Sequence, residues 1–387
     1  MFPRLLAPAA SSFFLFGPRG TGKSTWLAEH FGSSPLQVNL LKSSEFLAYQ
    51  RNPSLLREQA MALPKGAWVT IDEVQKLPAL LEEVHALLFD RGNDIAFALS
   101  GSSARKLKRV QANLLAGRAL TRKMFVLSCL EVGKPFHLPQ ALSFGMLPAV
   151  QNEATDQARS ERLDAYVETY LKEEIQQEAL VRNLDSFFRF VQVASVMSGQ
   201  ILNISGVARD VGVSRSTVQG YFDILIDTLI GWYLPSFRLK AKIKEIAHPK
   251  FYFFDNGVQR ALLGEHRNKP SAADSGQLFE AYVMNEIRLL TASLRIGAEM
   301  AYWRTEAGTE VDLIWHRGRR CIGFEIKHKD LWDKRNNAGL ETLLAEGKIE
   351  RAFGIYTGTR RLRQGNVTVL PYTHALQAIH SGEIGFG

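Results

Sequence analysis

Between an apolar stretch and a segment able to continue as a helix lies the run Gly17-Pro18-Arg19-Gly20-Thr21-Gly22-Lys23-Ser24, followed by Thr25. Its spacing is that of a phosphate loop, and few folds accept the order strand, glycine loop, helix. The glycines let successive backbone N–H groups curl around phosphate oxygens, and the helix start adds its positive end. In this reading Gly17 to Thr25 bind ATP, Lys23 reaches the terminal phosphates and Ser24 offers a ligand to Mg2+. The apolar opening before the loop is then a buried strand, not a secretion signal.

Residues 1–134 alternate short apolar runs with helical stretches, the pattern of a parallel sheet wrapped by helices. The expected strands are 12–16, 37–41, 67–71, 95–100 and 123–127. The third ends in Asp72-Glu73, which suggests Asp72 on Mg2+ and Glu73 orienting the attacking water. The fourth ends in Ser100-Gly101-Ser102-Ser103. If it lies between the other two, Ser102, or else Ser103, comes beside the acids as a sensor of the terminal phosphate.

The chain resembles prokaryotic AAA-type ATPases that carry a C-terminal domain related to restriction endonucleases. The likeness rests on the Gly-Pro-Arg opening of the loop, Asp72-Glu73-Val74-Gln75, Gly101-Ser102-Ser103 and Leu115-Ala116-Gly117-Arg118. It continues through Phe144-Gly145-Met146-Leu147-Pro148, Tyr166 to Glu174, and Lys250-Phe251-Tyr252-Phe253-Phe254-Asp255. Ser128-Cys129-Leu130-Glu131 departs from it, since the family usually has an aromatic residue and an arginine before the glutamate. The resemblance implies a ring-forming ATPase, expected as a hexamer, fused to a DNA-associated module. Arg118 is then the residue that reaches a neighbour's nucleotide, with Arg122 competing for that role.

The stretch 135–162, with Pro and Gly between 135 and 148, is expected to be a linker or lid. Residues 163–263 are mainly helical. There Asn203 to Val218 read as helix, turn, helix, with Asn203 or Ser205 and then Ser214 as caps and Gly212 at the turn. This leaves Arg215, Ser216 and Gln219 to face a nucleic-acid groove. After them Arg238, Lys240, Lys242 and Lys244 alternate with apolar residues and share one strand face, like the wing of a winged helix placed on phosphates. An edge strand guarded by lysines has the same pattern.

Residues 264–387 return to α/β. Glu280 falls on a helix, Asp312 on a strand, and Glu325-Ile326-Lys327 on the next, with a turn that brings Asp312 nearly opposite Glu325. These residues resemble the restriction-endonuclease-like nucleases, including Holliday-junction resolvases, with Glu280, Asp312 and Glu325 as metal ligands and Lys327 at the reacting phosphate. Cleavage is not required by the pattern, because the fold also serves DNA binding alone. His266, His316 and His328 form no zinc spacing and read as surface residues.

Composition bounds the rest. With 387 residues, 46% hydrophobic and 22% charged, the chain holds two or three ordinary globular domains. Cys129 and Cys321 are too few for a disulfide framework, which favours a reducing cytoplasm. A net charge of +8 makes DNA a plausible partner, and no apolar run is long enough to span a membrane. The reading is α/β throughout: a P-loop AAA-type parallel sheet, a helical and winged-helix domain, and an α/β nuclease-like domain. Together they make an ATPase acting on DNA, with branched DNA among the candidates. The alternative is an ATP-controlled protein-interaction switch whose later domains are scaffolds.

Overall fold

The computed structural model describes residues 2–102, 117–171, 183–238 and 248–386. The chain divides into two compact units, one of Leu6–Val126 with Asp227–Ile230, the other of Met1–Leu5, Leu127–Ile226 and Gly231–Gly387.

The first unit is built on a five-stranded parallel sheet of β1 (Phe13–Phe16), β2 (Leu36–Asn39), β3 (Ala67–Asp72), β4 (Ile95–Gly101) and β5 (Leu120–Lys123), in the order β2-β3-β4-β1-β5. Both faces are covered, and the two-residue period of a strand sorts its side chains between them. Phe13 and Leu15 join Trp26, Leu27, Phe31 and Met124 in one core. Phe14 packs on the other side with Val69, Ile71, Phe97 and Leu99. The fifth strand lies three residues before the expected 123–127. Leu120–Lys123 is mostly exposed and polar, as suits the sheet edge, while the apolar Met124, Val126 and Leu127 that follow are buried outside any strand.

The second unit contains three helices, Leu184–Val196, Ile204–Val211 and Arg215–Asp227, beside an antiparallel pair of β6 (Gly231–Leu234) and β7 (Lys250–Phe253). Ile201 adds a bridge to Lys250. A long helix, Ala272–Ser293, then leads into a six-stranded mixed sheet, ordered β12 (Leu362–Gln364), β13 (Val367–Pro371), β11 (Arg351–Tyr356), β10 (Arg320–Lys327), β9 (Glu310–Arg317) and β8 (Glu299–Arg304). The stretch 135–162 is no loose linker. It forms helices Leu138–Phe144, Pro148–Gln151 and Asp156–Ala165, and Leu142, Phe144, Met146, Leu147 and Val150 are buried.

Asp255 fixes that stretch in place. Its carboxylate accepts from Val258 N at 3.0 Å as a helix cap and from Met146 N at 2.6 Å. Gly145 has φ +72°, and a Cβ there would collide with the Asp255 carboxylate, so the approach needs glycine on both counts.

Candidate functional sites

The phosphate loop follows β1 and enters the helix Lys23–Phe31. Gly20 and Gly22 adopt left-handed φ of 77° and 92°, conformations that a side chain would oppose. Thr21 Oγ1 donates to Pro18 O at 2.7 Å, and Lys23 Nζ donates to Gly17 O at 2.8 Å and Pro18 O at 3.1 Å. The loop thus holds its lysine by its own carbonyls. Ser24 and Thr25 are exposed at the head of the helix.

Because β4 lies between β1 and β3, the loop and the ends of β3 and β4 share the carboxyl edge of the sheet. Ser100 Oγ donates to Asp72 and accepts from Glu73 N at 3.1 Å. Glu73 itself has φ 60°, an uncommon backbone for a non-glycine residue that costs roughly 1–2 kcal/mol. Gln75 Nε2 donates to the Glu73 carboxylate and, at 3.0 Å, to Ser102 Oγ, while Ser102 Oγ lies 3.5 Å from Glu73 Oε2. Ser102 is therefore beside Glu73. Ser103 lies outside the described residues. Ser100 and Gln75 are site residues that spacing alone does not single out. Gln75 stands next to the acids in the sequence, but only the strand order reveals what it touches.

Arg118 sits just before β5, whose first residue Leu120 pairs with Phe13, the first residue of β1. The phosphate loop leaves the other end of β1, so Arg118 is placed at the opposite edge of the sheet from its own loop. Its Nη1 is 2.7 Å from His85 Nε2, and its guanidinium lies 5.7 Å over the Phe89 ring, itself 72% exposed. Arg122 lies within β5, opposite Leu15.

In the helical segment Asn203 caps Ile204–Val211 through Gly206 N at 3.0 Å, Gly212 takes φ 76°, and Ser214 accepts from Thr217 N at 3.1 Å. Val207, Ala208, Val211 and Val218 are buried, and Arg215, Ser216 and Gln219 are exposed. Arg238 is exposed too. Lys240, Lys242 and Lys244 lie outside the described residues.

In the C-terminal sheet the register that pairs Phe324 with Leu313 carries Glu325 opposite Asp312 at the next step. Lys327 Nζ bridges them, 2.6 Å from Glu325 Oε1 and 3.1 Å from Asp312 Oδ2. Ile326 N also donates to Asp312 Oδ2 at 2.8 Å. Glu280 comes from the long helix, but its Oε1 accepts from Tyr252 OH at 2.7 Å and lies 3.4 Å from Lys250 Nζ. Lys250, 4% exposed, also sits 2.6 Å from Glu310 Oε1. Burial raises Glu280 and Glu325 above the ordinary carboxylate range; Asp312's charge adds to both, and the lysines oppose it. Among the described residues no group of three His, Cys, Asp or Glu is disposed to hold a metal ion. Of the three expected metal ligands, Asp312 and Glu325 are brought together and share Lys327, whereas Glu280 is held by Tyr252 and Lys250. Lys250 is a site residue that sequence reasoning misses, since a lysine opening an apolar strand carries no local sign of burial.

The remaining expectations divide. His328 is exposed and His316 half-buried, but His266 is buried, its Nε2 2.8 Å from Asp164 Oδ1. Burial holds its pKa below the usual value. Glu131 makes a capping box with Ser128, accepts from Leu5 N at 2.6 Å and pairs with Arg4 at 3.2 Å. The stretch that departs from the family pattern is thus a structural anchor. No helix among the described residues is long and apolar enough to cross a membrane.

Comparison with known proteins matches three stretches of the chain. Residues 136–269 match a domain of unknown function, DUF8612, and residues 275–375 match another, DUF4143. An uncharacterized protein of Mycobacterium bovis and one of Mycobacterium tuberculosis are each 24% identical over 357 residues, covering 92% of this chain and 78% of theirs. The crystal structure of protein VC1899 from Vibrio cholerae aligns over 97% of both chains at 11% identity, but its TM-score of 0.21 carries no argument about the fold. Residues 10–133 match an AAA domain, and with the loop and acids just described they form a P-loop domain of the AAA type.

Proposed function

We propose that the protein hydrolyses ATP with Mg2+ and couples the cycle to DNA, as a ring in which each Arg118 serves the neighbouring subunit. The observation that carries the proposal is the placement of Asp72, Glu73 and Ser102 at the sheet edge that bears the phosphate loop. Lys23, Ser24 and Asp72 would hold the nucleotide and its metal, and the bound Mg2+ would offset the phosphate charge. The residues suit nucleotide and metal, because two left-handed glycines shape the loop and Gln75 Oε1 is buried without a partner beside the acids. Glu73 orients water and takes its proton, with Gln75 and Ser102 fixing the carboxylate.

Support for DNA is chemical. The net charge is +8, Arg215, Ser216 and Gln219 are exposed on the helix Arg215–Asp227, and the sequence after it carries Arg238, Lys240, Lys242 and Lys244 in alternation. Arginine and lysine there would bind phosphates, independent of sequence.

A second reading, the ATP-controlled protein-interaction switch, is favoured by the lysine-bridged carboxylates of the C-terminal sheet, which look like structural ties. ATP hydrolysis and gel binding with single-stranded, duplex and four-way-junction DNA separate the two. Stimulation by any of them supports the first reading. A hydrolysis rate indifferent to all three, with no shifted band, replaces it by the second.

A further inference from the structure

The carboxylates Glu280, Glu310, Asp312 and Glu325 converge from one helix and two adjacent strands. Convergent acids of this kind bind divalent cations when their oxygens surround an empty point, typically six or more at ~2.0–2.6 Å. Here the points between them are taken. Lys250 Nζ stands 2.6 Å from Glu310 and 3.4 Å from Glu280, over the Tyr302 ring at 5.4 Å. Lys327 Nζ stands between Glu325 and Asp312. Arg304 Nη1 holds the other Glu310 oxygen at 3.0 Å. Four carboxylates thus face three fixed cations. Among the described residues Glu325 Oε2 is the oxygen of this cluster that is buried without a partner, and one oxygen falls far short of a coordination shell.

We infer that Lys250 is the resident cation of this cluster, filling with an ammonium the place a divalent metal would need, so that the C-terminal sheet neither binds Mg2+ or Mn2+ nor cuts DNA. The donor set dictates this. An ammonium buried to 4% exposure and paired on two sides leaves only by exposing its carboxylates to each other. A divalent ion entering beside it would meet like charge at contact distance in a site of low polarity. Burial works to lower the pKa of Lys250, and the charges of Glu280, Asp312 and Glu310 raise it by more. Its strand, β7, belongs to the helical segment, so the same pair ties that segment to the sheet.

The test uses the full chain without nucleotide and Mn2+ itself as probe, with free Mn2+ read by electron paramagnetic resonance. The wild type should show no Mn2+ binding that Asp312→Asn removes. Lys250→Ala should gain a bound Mn2+, lost again in Lys250→Ala/Asp312→Asn, and Mn2+ should raise the melting temperature of the single variant only. If Lys250→Ala does not fold, Lys250→Met keeps the stem and the shape. Mn2+ bound by the wild type and released by Asp312→Asn overturns the inference, as does a folded Lys250→Ala or Lys250→Met that gains none. These readouts are independent of ATP hydrolysis, so the reading of the first unit stands or falls separately.

Discussion

Two groups of acids in this chain are built from the same residue types and end in opposite conditions. Asp72 and Glu73 are held by a hydroxyl and an amide, from Ser100 and Gln75. Glu280, Glu310, Asp312 and Glu325 are held by Lys250, Lys327 and Arg304. A neutral donor orients a carboxylate and leaves its charge to act on something else, whereas a cationic donor orients it and cancels that charge. In the proposed reading the first group serves a metal and a water. The second is internal wiring, and the number of acids alone would never have separated the two.

The sharpest break of this contrast is at Glu73. Glu73→Gln should keep nucleotide binding and lower hydrolysis by about 100-fold or more, whereas Lys23→Ala should weaken binding itself. Nucleotide titration and phosphate release on both variants check this, and an active Glu73→Gln enzyme would remove Glu73 from its role. Next is the arginine at the far edge. Mixing Arg118→Ala with Glu73→Gln subunits should restore activity through intact composite sites. With subunit exchange demonstrated, a mixture no better than either variant removes Arg118 as the residue acting across the interface.

A third test concerns buried acids held by neutral donors in the second unit. Glu286 accepts from Ser128 Oγ at 2.6 Å, Cys129 N at 2.7 Å and Tyr282 OH at 2.8 Å, and burial raises its pKa to about 7. Asp255 is raised to about 6 for the same reason. For an acid raised in the folded state, the native form keeps a proton that the unfolded chain releases. Stability is therefore full below the ordinary carboxylate pKa and declines as pH climbs towards 7, by about 3 kcal/mol from Glu286. Denaturant titrations from pH 4.5 to 8 should show that decline. Glu286→Gln should remove its own share and leave that of Asp255, and an unchanged slope in that variant would put the titration elsewhere.

Smaller effects sharpen the first site. Gln75→Leu should slow hydrolysis about tenfold at unchanged nucleotide affinity, the loss of one positioning hydrogen bond. A variant that binds nucleotide poorly would instead give Gln75 a role in the loop. Replacing Arg238, Lys240, Lys242 and Lys244 together by Ala should reduce the dependence of log DNA affinity on log salt by ~0.9 per lost phosphate contact on duplex. An unchanged salt slope leaves only the guarding of an edge strand.

What is legible in the sequence is local. The phosphate loop, the β3 acids and the helix-turn-helix caps each sit within one turn or one strand, where spacing dictates geometry. The strand expected at 123–127 is displaced because apolar character does not distinguish a strand from a buried connection. The true edge strand Leu120–Lys123 is polar, and its apolar successors are buried in a connection. The stretch 135–162 reads as a linker because Pro and Gly punctuate it. In fact Pro139 and Pro148 sit in the first turns of helices, where a proline has no bond to lose, and Gly145 makes room for Asp255. Lys250 is illegible because its partners lie 30 and 60 residues further on, and no local pattern announces a cation that pairs at such range.

Glu286 reaches from the helix Ala272–Ser293 back to the turn at Ser128, and Lys250 reaches forward to Glu280 and Glu310. Replacing residues 264–387 by a sequence without Glu280, Glu286 and Glu310 would leave a buried ammonium without its acids and Cys129 N without its acceptor. Changes on either side of that border must therefore be matched on the other, and the two halves are expected to be inherited as a single cassette.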